Sequence, residues 1–542
     1  MSVIRGLLSK MDAINDYYHQ LGFLFPHLLL TLGILFAALF NLFFPKAKGM
    51  TPFVSLIALG GAFAVLISQM TQTCSLFRGV FTVDPLYSLF SLLAVAVGIV
   101  VVLMSMGYDH KFGRNTGEFY AILLTAVLAN LFLAGSTDLI MLFVSLETLS
   151  ICCVLLSGFM KRDLRSQEAS LKYLLSTAAT TATLLYALSF LYGLSGSTNF
   201  EVIREALTVA ASGKISFFQV LLLTLVLSAV GFKLSTVPFH MWTPDVYEGA
   251  PTPVTAFLSI GSKAGGFVVA IRLLSVMFAQ YQSTWVVLLA ILAILSMVAG
   301  NLIAMAQVSF KRMLAYSSIA HVGYILIGLI AGGEAGLSAM VFYVMVYGFM
   351  NLGAFAGAIL FSNETGSDRI EDYAGLIRRR PLLAIGMAIC LLNLAGLPLP
   401  PAGFFAKVFV FTAGAQITQP FLGLPMGWVL VGTALVTSIP ALFYYSRVII
   451  MMIVPEPSEK VANLPTAQQP RPYVGSPQEF PGIAMVACTL IVAVSGLMCV
   501  QPLMDLARNA VVNVGSPIFP TSSVPQNQPE PVKPSGKLIS LK

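Results

Sequence analysis

Apolar residues in this chain recur in runs of about twenty separated by short polar joints, the length a helix needs to cross a bilayer. The pattern predicts spans at 26–44, 51–69, 86–107, 117–134, 138–159, 169–194, 217–237, 251–275, 284–306, 313–331, 336–361, 382–414, 425–453 and 481–503. That makes fourteen, the 382–414 run being unusually long and interrupted by prolines. Because a span in lipid must satisfy its backbone hydrogen bonds internally, the expectation is an all-α polytopic membrane protein. Residues 26–505 form the expected membrane domain, preceded by an extramembrane segment over 1–25. Residues 454–480, with six prolines from Pro455 to Pro477, read as an extended loop. The stretch 515–542, rich in Pro, Ser and Gln, reads as a disordered tail. No soluble domain is predicted. Residues 1–25 hold Arg5, Lys10, Asp12 and Asp16 and lack the apolar core of a cleaved signal peptide.

Composition supports the same class. Hydrophobic residues make up 57% and charged residues 10% of 542, against about 45–50% and about 25% in soluble proteins. The net charge of +7 does not point to nucleic acid, because the basic residues sit in short clusters between apolar runs. Loops after odd-numbered spans hold fifteen Lys and Arg; those after even-numbered spans hold four, Arg78, Arg204, Lys214 and Arg272. The asymmetry places the odd-numbered loops in the cytoplasm and both termini on the opposite side. The six cysteines include no CxxC pair, so no zinc or iron–sulfur ligation is expected. The glycines of 328–337 have the wrong spacing for a dinucleotide fingerprint.

Ionisable residues inside spans are expensive and mark candidate sites. Lys407 is the only Asp, Glu, Lys, Arg or His between Pro381 and Ser446, and it follows Pro398, Pro400 and Pro401. Lys263 lies ten residues after Pro253, about 15 Å into its span and so near the bilayer middle. Lys233 lies five residues before Pro238, which breaks a helix at membrane depth. Glu147 sits well inside an apolar run, where a carboxylate needs a cationic partner. Lys172 follows Glu168 at i−4, so an interfacial pair and a relay role are both open. His321 could titrate near neutral pH or be a satisfied core histidine. The bland readings are snorkelling lysines near helix ends and a purely structural ion pair.

A desolvated lysine can become a neutral proton acceptor near pH 7, and a nearby carboxylate holds the proton on it. Alternating Glu and Lys through a hydrated midplane therefore suits proton transfer. The break follows the lysine at 233 and precedes it at 407, the reversal that inverted repeats produce. Five-helix repeats are expected over about 117–275 and 284–453.

The segment VGFKLSTVPFHMWTPDVYEGAPTPVTAFLSIGSKAGGF (230–267) closely resembles the core signature of the antiporter-like, Mrp-related proton-translocating subunits of complex I. Blocks at 143–180, 310–328 and 392–411 match further family blocks in order. The resemblance covers about 26–505 and is strongest for the subunit N (chain 2) branch of NADH–quinone oxidoreductase, since Lys407 stands where subunit M carries glutamate. It implies fourteen spans with two inverted five-helix repeats and two broken helices. It further implies that Glu147 pairs with Lys233, that Lys172 is the sixth-span lysine, that Lys263 connects the halves, and that Lys407 is the terminal lysine. A role for His321 is less consistent in the family. The implied function is proton translocation coupled to electron transfer elsewhere in the complex, so the chain is an enzyme subunit without its own redox centre. NAD(H), FMN, iron–sulfur clusters and quinone would belong to other subunits. Implied partners are the lipid bilayer and the membrane and peripheral subunits of the assembly, including neighbouring antiporter-like ones. The location would be a bacterial plasma membrane or, alternatively, a thylakoid membrane. The competing readings are an Mrp-type or stand-alone cation/proton antiporter and a non-translocating scaffold.

Overall fold

The structure, a computed structural model, describes residues 20–43, 48–112, 115–210, 217–398, 401–464, 479–512 and 514. Most of the 1–25 segment, the 465–478 part of the proline-rich loop, Pro400 and the 515–542 tail lie outside the described residues.

The first half of the bundle is α1 Phe25–Phe43, α2 Thr51–Ser68, α3 Pro85–Met106, α4 Thr116–Gly135, α5 Leu139–Ser157, α6 Leu164–Ser195, α7 Phe217–Leu234 and α8 Thr252–Ala270. The second half is α9 Gln282–Met305, α10 Phe310–Ala331, α11 Gly333–Thr365, α12 Pro381–Ala395, α13 Ala402–Ala415, α14 Met426–Ile453 and α15 Phe480–Leu497. Among the described residues twelve helices are each long and apolar enough to cross a membrane. The 19-residue α1 and the split pair α12–α13 supply the other two of the expected fourteen crossings.

Some helices begin where a polar joint supplies a cap. The Asp138 carboxylate accepts the backbone N–H groups of Ile140 and Met141 at the start of α5. Asp163 caps α6 and Ser309 caps α10 in the same way, each meeting a donor that has no partner within its helix. Two short antiparallel strand pairs, 74–76 with 81–83 and 420–421 with 424–425, close loops only. Within the described part of the proline-rich loop, Glu459–Ala462 forms one helical turn capped by Ser458, so that stretch is not fully extended as expected.

Spans α4–α8 and α9–α14 share one plan: two helices, a long third one of 32 or 33 residues (α6 and α11), an interrupted fourth and a closing helix. Five crossings per unit is an odd number, so the second unit runs opposite to the first. In the first, α7 stops at Leu234, Pro238 sits in the gap behind a cis Val237–Pro238 bond, and the chain resumes as Trp242–Gly249. In the second, α12 stops at Ala395 and α13 starts after Pro401, with Pro398 in the gap.

The protein interior is built on α8, α10 and α11, which are almost wholly buried. Arg272 leaves the count of loop cations: as the expected span 251–275 required, α8 continues, as a π-helix over Ile271–Met277, and carries it into the bundle. Arg272 is 2% exposed and grips the Asp84 carboxylate at 2.8 and 2.9 Å. It also donates to the Ala134 carbonyl at the end of α4, so α3, α4 and α8 are tied by one buried cation.

Candidate functional site: a buried row of lysines

Lys233 occupies the last turn of α7 and is buried. A helix cut short at membrane depth leaves carbonyls unpaired and a partial negative charge at its C-terminal end, which favours a cation there. Its ammonium donates to Ser150 Oγ on α5 at 3.1 Å. Glu147 lies three positions earlier on the same face of α5 and accepts the Thr181 hydroxyl of α6 at 2.6 Å. Glu147 and Lys233 line one small cavity with Ser150, Thr177 and Thr180. Its water-accessible space is ≈ 10 Å³, room for about one water. The implied direct pair between Glu147 and Lys233 is not formed: serine takes the ammonium and threonine takes the carboxylate. Gly266 makes this approach possible, because a Cβ there would stand 2.9 Å from Leu234 and 3.3 Å from Lys233 Cγ.

Lys263 sits in the middle of α8 with no exposed surface. It donates to Ser318 Oγ on α10 at 2.9 Å and to the Ser318 carbonyl at 3.3 Å. The Tyr247 ring lies beneath its ammonium, 6.0 Å to the centroid. Tyr173, Tyr247 and Ser262 bring hydroxyls into the region joining Lys233 and Lys263, and none is in a well-formed hydrogen bond within the protein.

From Lys263 the polar groups continue along one side of α10. Ser318, His321 and Tyr324 follow at intervals of three, so they stack on neighbouring turns. His321 Nδ1 meets the Tyr343 hydroxyl at 2.9 Å and Nε2 meets the Tyr445 hydroxyl at 3.2 Å. The Tyr445 hydroxyl also bonds Ser317. The Tyr324 hydroxyl accepts from Asn301 at 2.8 Å, and Tyr444 donates to the same asparagine. The Tyr324 ring in turn lies 5.1 Å from the Lys407 ammonium.

Lys407, in the second turn of α13, donates to the carbonyl of Ala395, the last residue of α12, at 2.7 Å. At this break the ammonium takes a helix-end carbonyl directly, whereas Lys233 at the first meets Ser150, and the lysine arrives from the other side of the gap. Gly396 turns the chain there at φ +84°, and a Cβ on it would stand 2.7 Å from Lys407 Cδ.

Lys172 is placed elsewhere. Its side chain is 45% exposed and paired with Glu168 and Asp245, both at 2.7 Å, so the structure does not bring it among the buried lysines. Sequence reasoning missed Ser150, Thr181, Ser318, Tyr324, Tyr343 and Tyr445. Their one available signal was a hydroxyl inside an apolar run, which many spanning helices carry without consequence. Among the described residues no three His, Cys, Asp or Glu converge as a metal site would require.

A polytopic bundle with two opposed broken helices and a buried lysine at each break has the architecture of membrane transport proteins. The chain belongs to the family described as NADH:quinone oxidoreductase/Mrp antiporter, TM, which matches residues 136–437. It is 44% identical over 499 residues to NAD(P)H-quinone oxidoreductase subunit 2 of Thermosynechococcus vestitus, covering 91% of this chain and 93% of that one. The subunit of the same name from Acaryochloris marina is 43% identical over 543 residues, 99% of each chain. Among solved structures, a chain of respiratory complex I from Thermus thermophilus superposes with a TM-score of 0.70 at 30% identity, over 89% of this chain and 99% of that one. A chain of the Mrp complex from Dietzia sp. DQ12-45-1b shares the fold, with a TM-score of 0.74 at 20% identity over 91% and 97% of the two chains.

Proposed function

We propose that this chain is the subunit-2-type proton-translocating membrane subunit of a complex I-type NAD(P)H–quinone oxidoreductase. The observation that carries the reading is the set of buried groups spread through the bundle: Lys233 on Ser150 beside Glu147, Lys263 on Ser318, His321 between Tyr343 and Tyr445, and Lys407 by Tyr324. Charge rearrangement driven by electron transfer elsewhere in the complex reaches the Glu147–Lys233 cavity first. A change in the charge held there alters the field at Lys263, whose proton leaves through Ser318 toward His321. Lys407, balanced on the Ala395 carbonyl, receives the change last. The two repeats, about 117–275 and 284–453, each contribute one broken-helix lysine, and Lys263 joins them.

The partners are the other membrane and peripheral subunits of the assembly, with NAD(P)H, FMN, iron–sulfur and quinone chemistry assigned to those subunits. The protein is multi-pass, and its similarity to cyanobacterial subunits favours a thylakoid or plasma membrane. The loop distribution of Lys and Arg supports both termini lying on the non-cytoplasmic side.

Lys233→Ala and Lys407→Ala test the reading in the intact complex, with assembly, electron transfer and vesicle acidification measured together. The expected result is normal assembly with proton pumping lost. Normal pumping by both variants refutes the relay, and loss of assembly by both supports a scaffold.

A further inference from the structure

The short helix Trp242–Gly249, just past the first break, touches three places at once. At its start Trp242 donates from its indole to the Phe232 carbonyl, beside Lys233, at 3.2 Å. Trp242 also stacks nearly flat on Tyr173, 4.4 Å between centroids. Further along, Tyr247 lies beneath Lys263. From the same helix, Asp245 and Glu248 reach the surface.

There they enter a chain of ion pairs around a cavity of ≈ 260 Å³. Lys172 pairs with Asp245 at 2.7 Å, and Arg312 pairs with Asp245 at 3.1 Å and with Glu248 at 2.8 Å. Lys172 belongs to the first repeat and Arg312 starts α10, the helix that carries Ser318 and His321. Asp245 is therefore shared between the two repeats. These side chains are about a third to a half exposed, and ion pairs at such sites are weak singly and exchange partners readily. The aromatic stack behind them holds the short helix against α6, because Tyr173 is the residue after Lys172.

We propose that Asp245, shared between Lys172 and Arg312, is a positioning residue that latches Trp242–Gly249 and thereby sets the relation of Lys233 to Lys263. On this account Lys172 acts by its fixed charge and its place in the latch, and carries no proton along the path. The inference rests on the proton-translocating reading above. With the latch made, Trp242 and Tyr247 hold the polar region joining the two lysines in one arrangement. With Asp245 released, the short helix shifts and the lysines lose their coupling.

The test uses the intact complex in sealed vesicles, with dye-reported proton uptake divided by the electron-transfer rate. Lys233→Ala in the same membranes sets the uncoupled reference. Asp245→Asn and Lys172→Met are expected to assemble and to fall toward that reference. Lys172→Arg, which keeps the charge and binds its proton too firmly to pass it on, is expected to pump as the unsubstituted complex does. The double variant Lys172→Met/Asp245→Asn is expected to be no worse than Asp245→Asn alone.

If Lys172→Arg falls as far as Lys172→Met, Lys172 is a proton carrier and the latch is overturned. Native coupling in Asp245→Asn overturns it too. Should Asp245→Asn fail to assemble, Glu248→Gln takes its place, since it removes one of the two acids on Arg312 and spares Asp245. A partial drop then supports the latch and native coupling overturns it. Native pumping by Lys233→Ala would instead refute the underlying function, so the two failures are distinguishable.

Discussion

Gly396→Ala displaces Lys407 without touching its chemistry. The residue has φ +84°, and an added Cβ would lie 2.7 Å from Lys407 Cδ and 2.9 Å from its Nζ. Two effects follow. The left-handed backbone costs a non-glycine residue about 1–2 kcal/mol. The lysine tail, being the flexible partner, moves away and gives up its 2.7 Å bond to the Ala395 carbonyl. A hydrogen bond to a charged group is worth about 1.5–3 kcal/mol net, so the present position of the ammonium should lose about tenfold or more in occupancy. Gly366→Ala is the control: its φ is +69° and a Cβ there meets nothing within 4 Å, so it carries the backbone cost alone. The assay is proton pumping per electron in vesicles, with the amount of assembled complex measured on a native gel. Gly396→Ala should assemble about as well as Gly366→Ala and pump far less. Equal pumping by the two fully assembled variants would refute the claim that the Lys407–Ala395 contact matters to translocation.

Two further outcomes are expected. Ser318→Ala removes the hydroxyl that Lys263 holds at 2.9 Å and leaves only the carbonyl at 3.3 Å; pumping should fall about tenfold while Ser318→Thr retains it, and equal rates for the two variants would remove Ser318 from the path. Asp84→Asn leaves Arg272 buried with its countercharge gone, which typically costs about 3–5 kcal/mol; the yield of assembled complex should drop sharply, and an unchanged yield would show that the clamp joining α3, α4 and α8 is dispensable.

The buried lysines were legible because a charge inside twenty apolar residues is expensive enough to stand out without any coordinates. Lys233, Lys263 and Lys407 all proved buried, as their positions in the runs implied. Lys172 illustrates the limit: its i−4 pair with Glu168 was readable from spacing, but Asp245, 73 residues away, was not. Glu147 shows a related gap. Its need for a partner followed from its position, whereas the choice of Thr181 depended on how α6 packs against α5. Arg272 lay inside the expected span 251–275, but its pairing with Asp84 of another helix leaves no mark in local sequence.

The spans, both breaks and the charged residues at depth could be read along the chain, because hydropathy over twenty residues and proline chemistry are local properties that lipid enforces. The partners came from packing: Ser150 for Lys233, Ser318 for Lys263 and the Ala395 carbonyl for Lys407, with α10 carrying Ser318, His321 and Tyr324 between the last two lysines. The tertiary structure alone placed Lys172 in a surface network. Those outcomes turn on contacts between helices far apart in the chain, where a rotation of one helix by a single residue, about 100°, exchanges one partner for another.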